Sequence, residues 1–243
     1  MDSKIKSGAI YLIPTPLGEG DFDWMMPVAV RRCIGDLSNF IVEHPKTARH
    51  FLKQIGCKLP LQEIKMQVLN EHTQSCELSA LLEPLLAGHD VGLLSEAGCP
   101  AVADPGADLV RLAHQKNIKV IPLVGPSSIL LALMASGLNG QCFKFHGYLP
   151  IKNDVRVSKI TALEKQSIQH DQTQIFIETP YRNQKLLALL TQTCRDETNL
   201  CIASNLTLAT EYIATKTVKT WQHALPEINK KPTIFLLHGR SKV

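Results

Sequence analysis

In the first half of the chain, short apolar runs alternate with segments whose apolar residues recur at helical spacing. Ala9 to Ile13, Asn39 to Val42, Ile64 to Leu69, Asp90 to Leu94 and Lys119 to Leu123 read as strands. The clearest helical pattern between them is Glu77 to Ala87, where Leu78, Leu81, Leu82, Leu85 and Leu86 form one stripe. Pro84 predicts a kink in it, because proline offers no backbone donor and crowds the preceding turn. Gly88 suits the left-handed position just past its end. Another helix is expected over Ala107 to Lys116. This alternation predicts βαβ units around a largely parallel sheet.

Beyond Gly125 the pattern changes. Ser127 or Ser128 can cap a helix running from Ile129 to Ser136 and stopping at Gly137. That segment is apolar on all sides, which predicts full burial. Strands are expected at Phe143 to His146, Gln174 to Ile177, Asn199 to Ser204, Glu211 to Thr217 and Thr233 to Leu237. Amphipathic helices at Asp154 to Gln169 and Tyr181 to Thr193 interrupt them. The threonines at 207, 210, 215, 217 and 220 favour antiparallel pairing late in the chain. The expected fold is therefore α/β in two α/β domains, residues 1–123 with a largely parallel five-stranded sheet and residues 124–243 with a mixed sheet.

Composition narrows the class without naming a substrate. The 243 residues are 44% hydrophobic and 20% charged, as in an ordinary globular protein. A net charge of +4 is too mild to argue for nucleic acid by itself. The run Ile129 to Ala135 is too short for a membrane span, and Met1 to Gly8 is polar and charged, unlike a signal peptide. Seven cysteines (Cys33, Cys57, Cys76, Cys99, Cys142, Cys194 and Cys201) contain no C-x-x-C pair, which implies reduced thiols and a cytoplasmic location. His44 and His50 lack a third plausible ligand nearby, so no metal site is expected.

The most informative stretch runs from Leu93 to Gly106, LLSEAGCPAVADPG. It carries a buried strand into a loop of small and acidic residues and then into a helix. Ligands of open α/β sheets bind outside the carboxyl ends of the strands. Ala97 and Gly98 admit close approach to the backbone, and Glu96 and Asp104 offer carboxylates to hydroxyl or ammonium groups. The expected ligand is a small polar cofactor.

This stretch, together with Val120 to Ser128 (VIPLVGPSS), resembles the tetrapyrrole methylase superfamily of S-adenosylmethionine-dependent methyltransferases. It is most similar to the branch of the ribosomal RNA small-subunit (cytidine-2′-O)-methyltransferases. Tyr11 to Gly18 (YLIPTPLG), Glu71-His72, Phe145 to Pro150 (FHGYLP) and Glu178 to Arg182 (ETPYR) match further motifs in the same order. The resemblance implies a cofactor cleft between two domains and S-adenosylmethionine held by Leu17, Ser95, Glu96, Ala97, Gly98, Cys99, Ser127, Ser128, Ile177, Glu178 and Thr179. Ala203, Ser204, Pro232 and Thr233 match further cofactor-facing segments. Glu71, His72 and Glu178 occupy matching positions beside strand ends and are the candidate general bases. The resemblance also implies a ribosomal RNA acceptor and a homodimer.

Glu43, Lys46, Arg49 and Arg182 are the corresponding substrate-binding candidates. Here the branch's E-D-T-R-H-T-R-K-L-L segment reads EHPKTARHFL, from Glu43 to Leu52. Lysine at 46 lacks arginine's bidentate fork, and Pro45 is expected to delay the helix start. Gly18-Glu19-Gly20 replaces the branch's G-N-L, and the chain runs only briefly past Phe235-Leu236-Leu237, without the C-terminal helical extension of many relatives. A small tetrapyrrole-like acceptor and a non-catalytic adenosine-ligand or RNA-binding module are the alternative readings. Methyl transfer from a sulfonium needs positioning and exclusion of water more than a covalent catalyst. The lack of an obvious nucleophile is compatible with it.

Overall fold

The protein is described from a computed structural model covering residues 7–239. Most of the polar start read from Met1 to Gly8, and the last residues of the chain, therefore lie outside the described part. The chain divides into two compact units between Ser127 and Ser128.

In the first unit the strands are β1 (Ala9–Ile13), β2 (Asn39–Val42), β3 (Lys65–Val68), β4 (Val91–Leu94) and β5 (Lys119–Pro122). They form one sheet in the order β3-β2-β4-β1-β5, and every pairing is parallel. Its helices are α1 (Phe22–Met25), α2 (Val28–Gly35), α3 (Pro45–Gln54), α4 (Leu78–Leu81), α5 (Glu83–Leu86) and α6 (Gly106–Gln115). A parallel sheet covered on both faces needs strands that are apolar throughout, and β4 is buried along its whole length. On one face Ile10, Ile41, Val91 and Leu93 pack against Leu81 of α4, Leu82 between the two helices, Leu85 of α5 and Leu109 of α6. On the other, Phe40, Val42 and Leu94 pack against Ile34 of α2 and Phe51 and Leu52 of α3. Gly92 permits this second layer to close, because a Cβ there would stand 2.7 Å from both Ile13 Cδ1 and Phe40 Cδ1.

Two local expectations are corrected here. Pro45 does not delay α3: it is the helix's first residue, where the missing N–H is no loss and the fixed φ suits a helix. The kink at Pro84 is a full break, with α4 ending at Leu81 and Pro84 sitting in the first turn of α5. Gly88 closes that segment at φ 92°.

The second unit contains α7 (Ser128–Ser136), β6 (Phe143–Tyr148), α8 (Asn153–His170), β7 (Thr173–Ile177), a 3-10 turn at Pro180–Arg182, α9 (Asn183–Thr193), β8 (Asn199–Ser204), β9 (Tyr212–Thr217), α10 (Val218–His223) and β10 (Thr233–His238). The sheet order is β6-β7-β10-β8-β9. Only β6 and β7 pair in parallel; β10 runs antiparallel to both its neighbours, and β9 antiparallel to β8. The sheet is mixed, as the threonine-rich strands suggested. Its core gathers Leu163 from α8, Leu186 and Leu190 from α9, Trp221 from α10, and Phe176 stacked on Phe235. Trp221 is completely buried and donates its indole N–H to the Leu200 carbonyl at 2.8 Å.

The expected full burial of α7 is not what the structure shows. Ala132 and Leu133 face the core, but Leu130 is 52% and Met134 79% exposed. An all-apolar helix was read as one surrounded by its own chain, whereas this one packs on β8, β9 and β10 along a single side.

Candidate functional site

The first unit's site is built where β1, β4 and β5 end. After β1 the chain turns through Pro14-Thr15-Pro16, and Thr15 becomes a clamp between loops. Its backbone N–H donates to Gly98 O at 2.9 Å, and the Gly98 N–H returns a bond to Thr15 O at 3.0 Å. The Thr15 hydroxyl donates to Ser95 O at 3.1 Å, and the Ser95 hydroxyl donates to Gly98 O at 2.9 Å. The first three bonds fix the strand-to-helix loop following β4 against the loop following β1, and the fourth braces the β4 loop internally.

The β4 loop is strained as well as clamped. Gly98 has φ 77°, and two non-glycine residues, Ala101 and Ala103, sit at φ 64° and 55°. Left-handed alanines are disfavoured and persist only where surrounding bonds over-determine them. Asp104 supplies part of that determination, its Oδ1 accepting from Ala101 N–H at 3.0 Å and Gly106 N–H at 2.7 Å. The loop after β5 closes on the other two. A Cβ on Gly125 would lie 2.6 Å from the Pro14 Cβ, and Cys99 Sγ lies 3.6 Å from Pro126 O. Ser127 ends this loop and Ser128 begins α7. Thus Leu17, Ser95 to Cys99 and the 125–127 turn, distant in sequence, share one edge of the sheet.

Beside this edge, between the β1, β2 and β4 loops and α3, lies a pocket of about 210 Å³. Phe22, Val42, Ala48, Phe51 and Leu94 make its apolar wall, while Thr15, Glu43, Thr47 and Glu96 supply polar groups. Glu43 is half-buried, and its carboxyl is pushed up to about 8. Desolvation is the largest cause, followed by its hydrogen bond with Asp104 and then by the charges of Asp104 and Glu96. The Glu43 carboxyl therefore holds its proton to higher pH than an ordinary carboxylate. Glu96 is exposed; its Oε1 accepts from the Thr47 hydroxyl at 2.8 Å and lies 3.4 Å from His44 Nδ1.

The first unit also places Lys46 and Arg49 on the exposed face of α3. Neither has an ion-pair partner among the described residues. Glu71 and His72 are not brought to the site. They follow the edge strand β3, line no part of the pocket, and have side chains 84% and 83% exposed. Their sequence position beside a strand end did not reveal that the strand is at the sheet's margin.

In the second unit the register gathers the remaining candidates. Ile234 of β10 pairs with Ile177 on one side and Ala203 on the other, and Thr233 pairs with Ser204. The Thr233 hydroxyl donates to Ser204 Oγ at 3.1 Å, and Ser204 Oγ donates to Pro232 O at 3.3 Å. Ile177, Thr179, Ala203, Ser204, Pro232 and Thr233 thus mark one end of the second sheet.

Glu178 has a different character. Its side chain is wholly buried and held by two guanidinium groups. Arg182 donates through Nε at 2.9 Å and a terminal nitrogen at 2.6 Å to Oε1. Arg156 approaches Oε2 at 3.1 Å as an ion pair without aligned hydrogen-bond geometry. The Thr179 N–H adds a bond at 2.7 Å, and Arg156 Nε donates to Pro150 O at 2.6 Å. This carboxylate is an anchor joining the segments around residues 150 and 180. A free base would need an oxygen open to a substrate proton; here Oε1 already accepts three hydrogen bonds, and Oε2 is buried against Arg156. Arg182 is correspondingly engaged by Glu178 and is no free phosphate ligand. Sequence reading missed Arg156 entirely, since nothing in its helical pattern marks a buried charge. It also missed the influence of Asp104 and Glu96 on Glu43, which depends on the strained β4 loop folding back.

Among the described residues no group of three or more His, Cys, Asp or Glu is placed to hold a metal ion, and no helix is long and apolar enough to cross a membrane.

The described residues thus comprise two α/β units, the first with clamped small-residue loops at the carboxyl edge of its parallel sheet. Residues 10–222 match the family model of Tetrapyrrole (Corrin/Porphyrin) Methylases, and the chain belongs to that family. It is a methyltransferase. It is 30% identical over 234 residues to the ribosomal RNA small subunit methyltransferase I of Vibrio cholerae, covering 95% of this chain and 77% of that relative. The protein of the same name from Synechocystis sp. is 32% identical over 214 residues, 88% of this chain and 72% of its own length. Among solved structures, the methyltransferase CobJ aligns with a TM-score of 0.63 at 16% identity, covering 98% of this chain and 97% of that one. Cobalt precorrin-4 methyltransferase aligns with a TM-score of 0.60 at 15% identity, over 95% and 94% of the two chains. These structural likenesses are likenesses of fold.

Proposed function

We propose that this chain transfers the methyl group of S-adenosylmethionine to ribosomal RNA, at a ribose 2′-hydroxyl. The observation that carries the reading is the convergence of the β1, β4 and β5 loops on one sheet edge, beside a pocket flanked by the cationic outer face of α3. The residues present fit the cofactor. Gly98 is a left-handed turn whose Cβ position is free to 3.5 Å. Ala97 lets a ligand reach the backbone, and the exposed Glu96 carboxylate suits ribose hydroxyls or an ammonium group. Leu17, Ser95, Cys99 and Ser127 are the first unit's further cofactor candidates, and Ser128, Ile177, Thr179, Ala203, Ser204, Pro232 and Thr233 are the candidates carried by the second. When bound, the cofactor supplies an activated methyl electrophile.

The chain's residues then have three tasks. The clamped loops hold the donor in a fixed orientation, which is where most of the barrier reduction arises. Lys46 and Arg49 hold acceptor phosphates. Glu43, whose proton affinity is set near neutrality, takes the acceptor's proton, a better-placed base than the water-exposed Glu71 and His72. Glu178 positions the loop around Thr179 and Arg182. We further propose a cytoplasmic homodimer. All seven cysteines are unpaired thiols, and α7 offers the exposed Leu130 and Met134 to a second copy.

The test is a salt titration of binding to small-subunit RNA. Phosphate contacts release counterions, so affinity should fall steeply with salt, and Arg49→Ala should lower the slope by about one unit. Cofactor affinity, measured by calorimetry, should be unchanged in that variant. A flat salt response, or no binding at low salt, would transfer the assignment to a small tetrapyrrole-like acceptor.

A further inference from the structure

The pocket beside α3 carries polar groups that neither cofactor binding nor proton removal uses. Thr47, His50, Phe51 and Gln54 all line it. They recur along α3 at spacings of three and four, so one stripe of the helix faces the cavity. Thr47 is tied to Glu96 Oε1 at 2.8 Å. His50 and Gln54 are exposed, and their polar ends are uncommitted among the described residues. Phe51 is buried and packs on the half-exposed ring of Phe22, with centroids 6.0 Å apart. Both rings line the same pocket, so an apolar wall stands beside two free donor–acceptor groups.

Size and charge limit what enters. At about 210 Å³ the pocket lies below the roughly 300 Å³ at which sites for drug-sized ligands begin, so it holds one small ring system and not a macrocycle. Glu19, Glu43 and Glu96 line it without a lysine or arginine, which repels phosphate. Phosphates have a place immediately beside it. Lys46, Arg49 and Lys53 are exposed on the same helix. His50 is four residues from Lys46 and three from Lys53, and Arg49 is three and four residues from those two lysines. Residues so spaced are neighbours on a helix surface, so the basic stripe and the pocket stripe adjoin.

We propose that the pocket receives the base of one unpaired RNA nucleotide, lying against Phe22 and read along its edge by His50 and Gln54, while the flanking phosphates follow Lys46, Arg49 and Lys53. This rests on the RNA reading above and adds two things to it. The nucleotide is swung out of any duplex, because a paired base has no free edge to offer. Base preference is decided on α3, by hydrogen bonds that a plain aromatic surface lacks. Glu43 lines the same cavity, so a nucleotide seated there brings its ribose to the group that takes the proton.

The probes are four ribo-oligonucleotides of equal length, each of a single base, and an abasic strand of the same length and charge. The wild type should bind its preferred base on the order of tenfold or more tighter than the abasic strand, and should rank the four. His50→Ala and Gln54→Ala should each compress that ranking. Gln54→Ala removes no charge, so its salt slope should match the wild type, whereas Arg49→Ala should lower the slope and keep the ranking. All three side chains are exposed, and circular dichroism checks that the variants fold. Three results overturn the base pocket and leave the RNA reading standing: an abasic strand bound as well as the others, a ranking unchanged in both pocket variants, or binding of small-subunit RNA but of no short strand. Failure of the wild type to bind any RNA at low salt overturns both.

Discussion

Replacing Glu178 with alanine separates an anchor from a reacting group. The native carboxylate has no exposed surface, and Arg156 beside it is only 8% exposed. Removing the carboxylate strands that guanidinium among buried neighbours, and breaking a buried pair in this way costs about 3–5 kcal/mol. Arg182 is 37% exposed and can turn toward water, so its share is small and the lower end, about 3 kcal/mol, is expected. In a chain of this size each kcal/mol lowers the midpoint by about 2–4 °C, which predicts a fall of about 6–12 °C. Thermal unfolding followed by circular dichroism is the assay, and the loss should persist in high salt because buried pairs are weakly screened. Replacing both charges with apolar residues, Arg156→Met with Glu178→Leu, should recover much of the loss. The reasoning fails if Glu178→Ala melts within about 2 °C of the wild type yet abolishes methyl transfer, for then the carboxylate acts on the substrate.

Gly98→Val should abolish cofactor binding by calorimetry and destabilise by about 1–3 kcal/mol through backbone strain at positive φ; unchanged affinity would contradict the loop assignment. Gly92→Ala should cost about 1–3 kcal/mol in denaturant unfolding, since its methyl must displace Ile13 or Phe40. Glu43 binds its proton more tightly folded than unfolded, so its contribution to stability is lost as pH rises from the ordinary carboxylate range through about 8. Glu43→Gln should therefore melt higher than the wild type at pH 9 and about equally near pH 4, while its turnover should lose the rise toward pH 8; parallel melting curves at both pH values would refute the raised Glu43 carboxyl. Methyl transfer should survive a chelator, and rescue of chelated enzyme by zinc or magnesium would show a required metal.

The elements were most legible where hydrophobic period and punctuation agreed. Ala9 to Ile13 and Asn199 to Ser204 read as strands with the bounds they have, because apolar β-rich runs bounded by turn residues leave no competing reading. The short α1 was not visible, since four residues carry no period; it exists because Asp21 caps it and Phe22 finds Phe51. Full burial was overcalled for α7 because composition records what a helix is made of, while exposure depends on how many neighbours pack on it. At the site, the cofactor-loop candidates share sheet edges because strand ends in one parallel sheet must lie together, a consequence of topology that the alternation already implied. Glu71 and His72 scattered because strand order is not encoded locally: β3 lies at the margin and β4 in the middle. Buried charge was equally silent, since Arg156 and Glu178 meet only after α8 has packed on the sheet.

The placement of β10 has a consequence for biogenesis. The first sheet is complete once Pro122 has been made, so it can assemble while synthesis continues. The second cannot. Its central strand, β10, is the last in the described chain and is inserted between β7 and β8. Until Thr233 to His238 emerge from the ribosome, β6-β7 and β8-β9 are two ribbons with unpaired inner edges, the kind of edge that invites pairing with another chain. A nascent or truncated chain lacking those six residues should therefore be the aggregation-prone form of this protein, with a native first half attached to an open sheet.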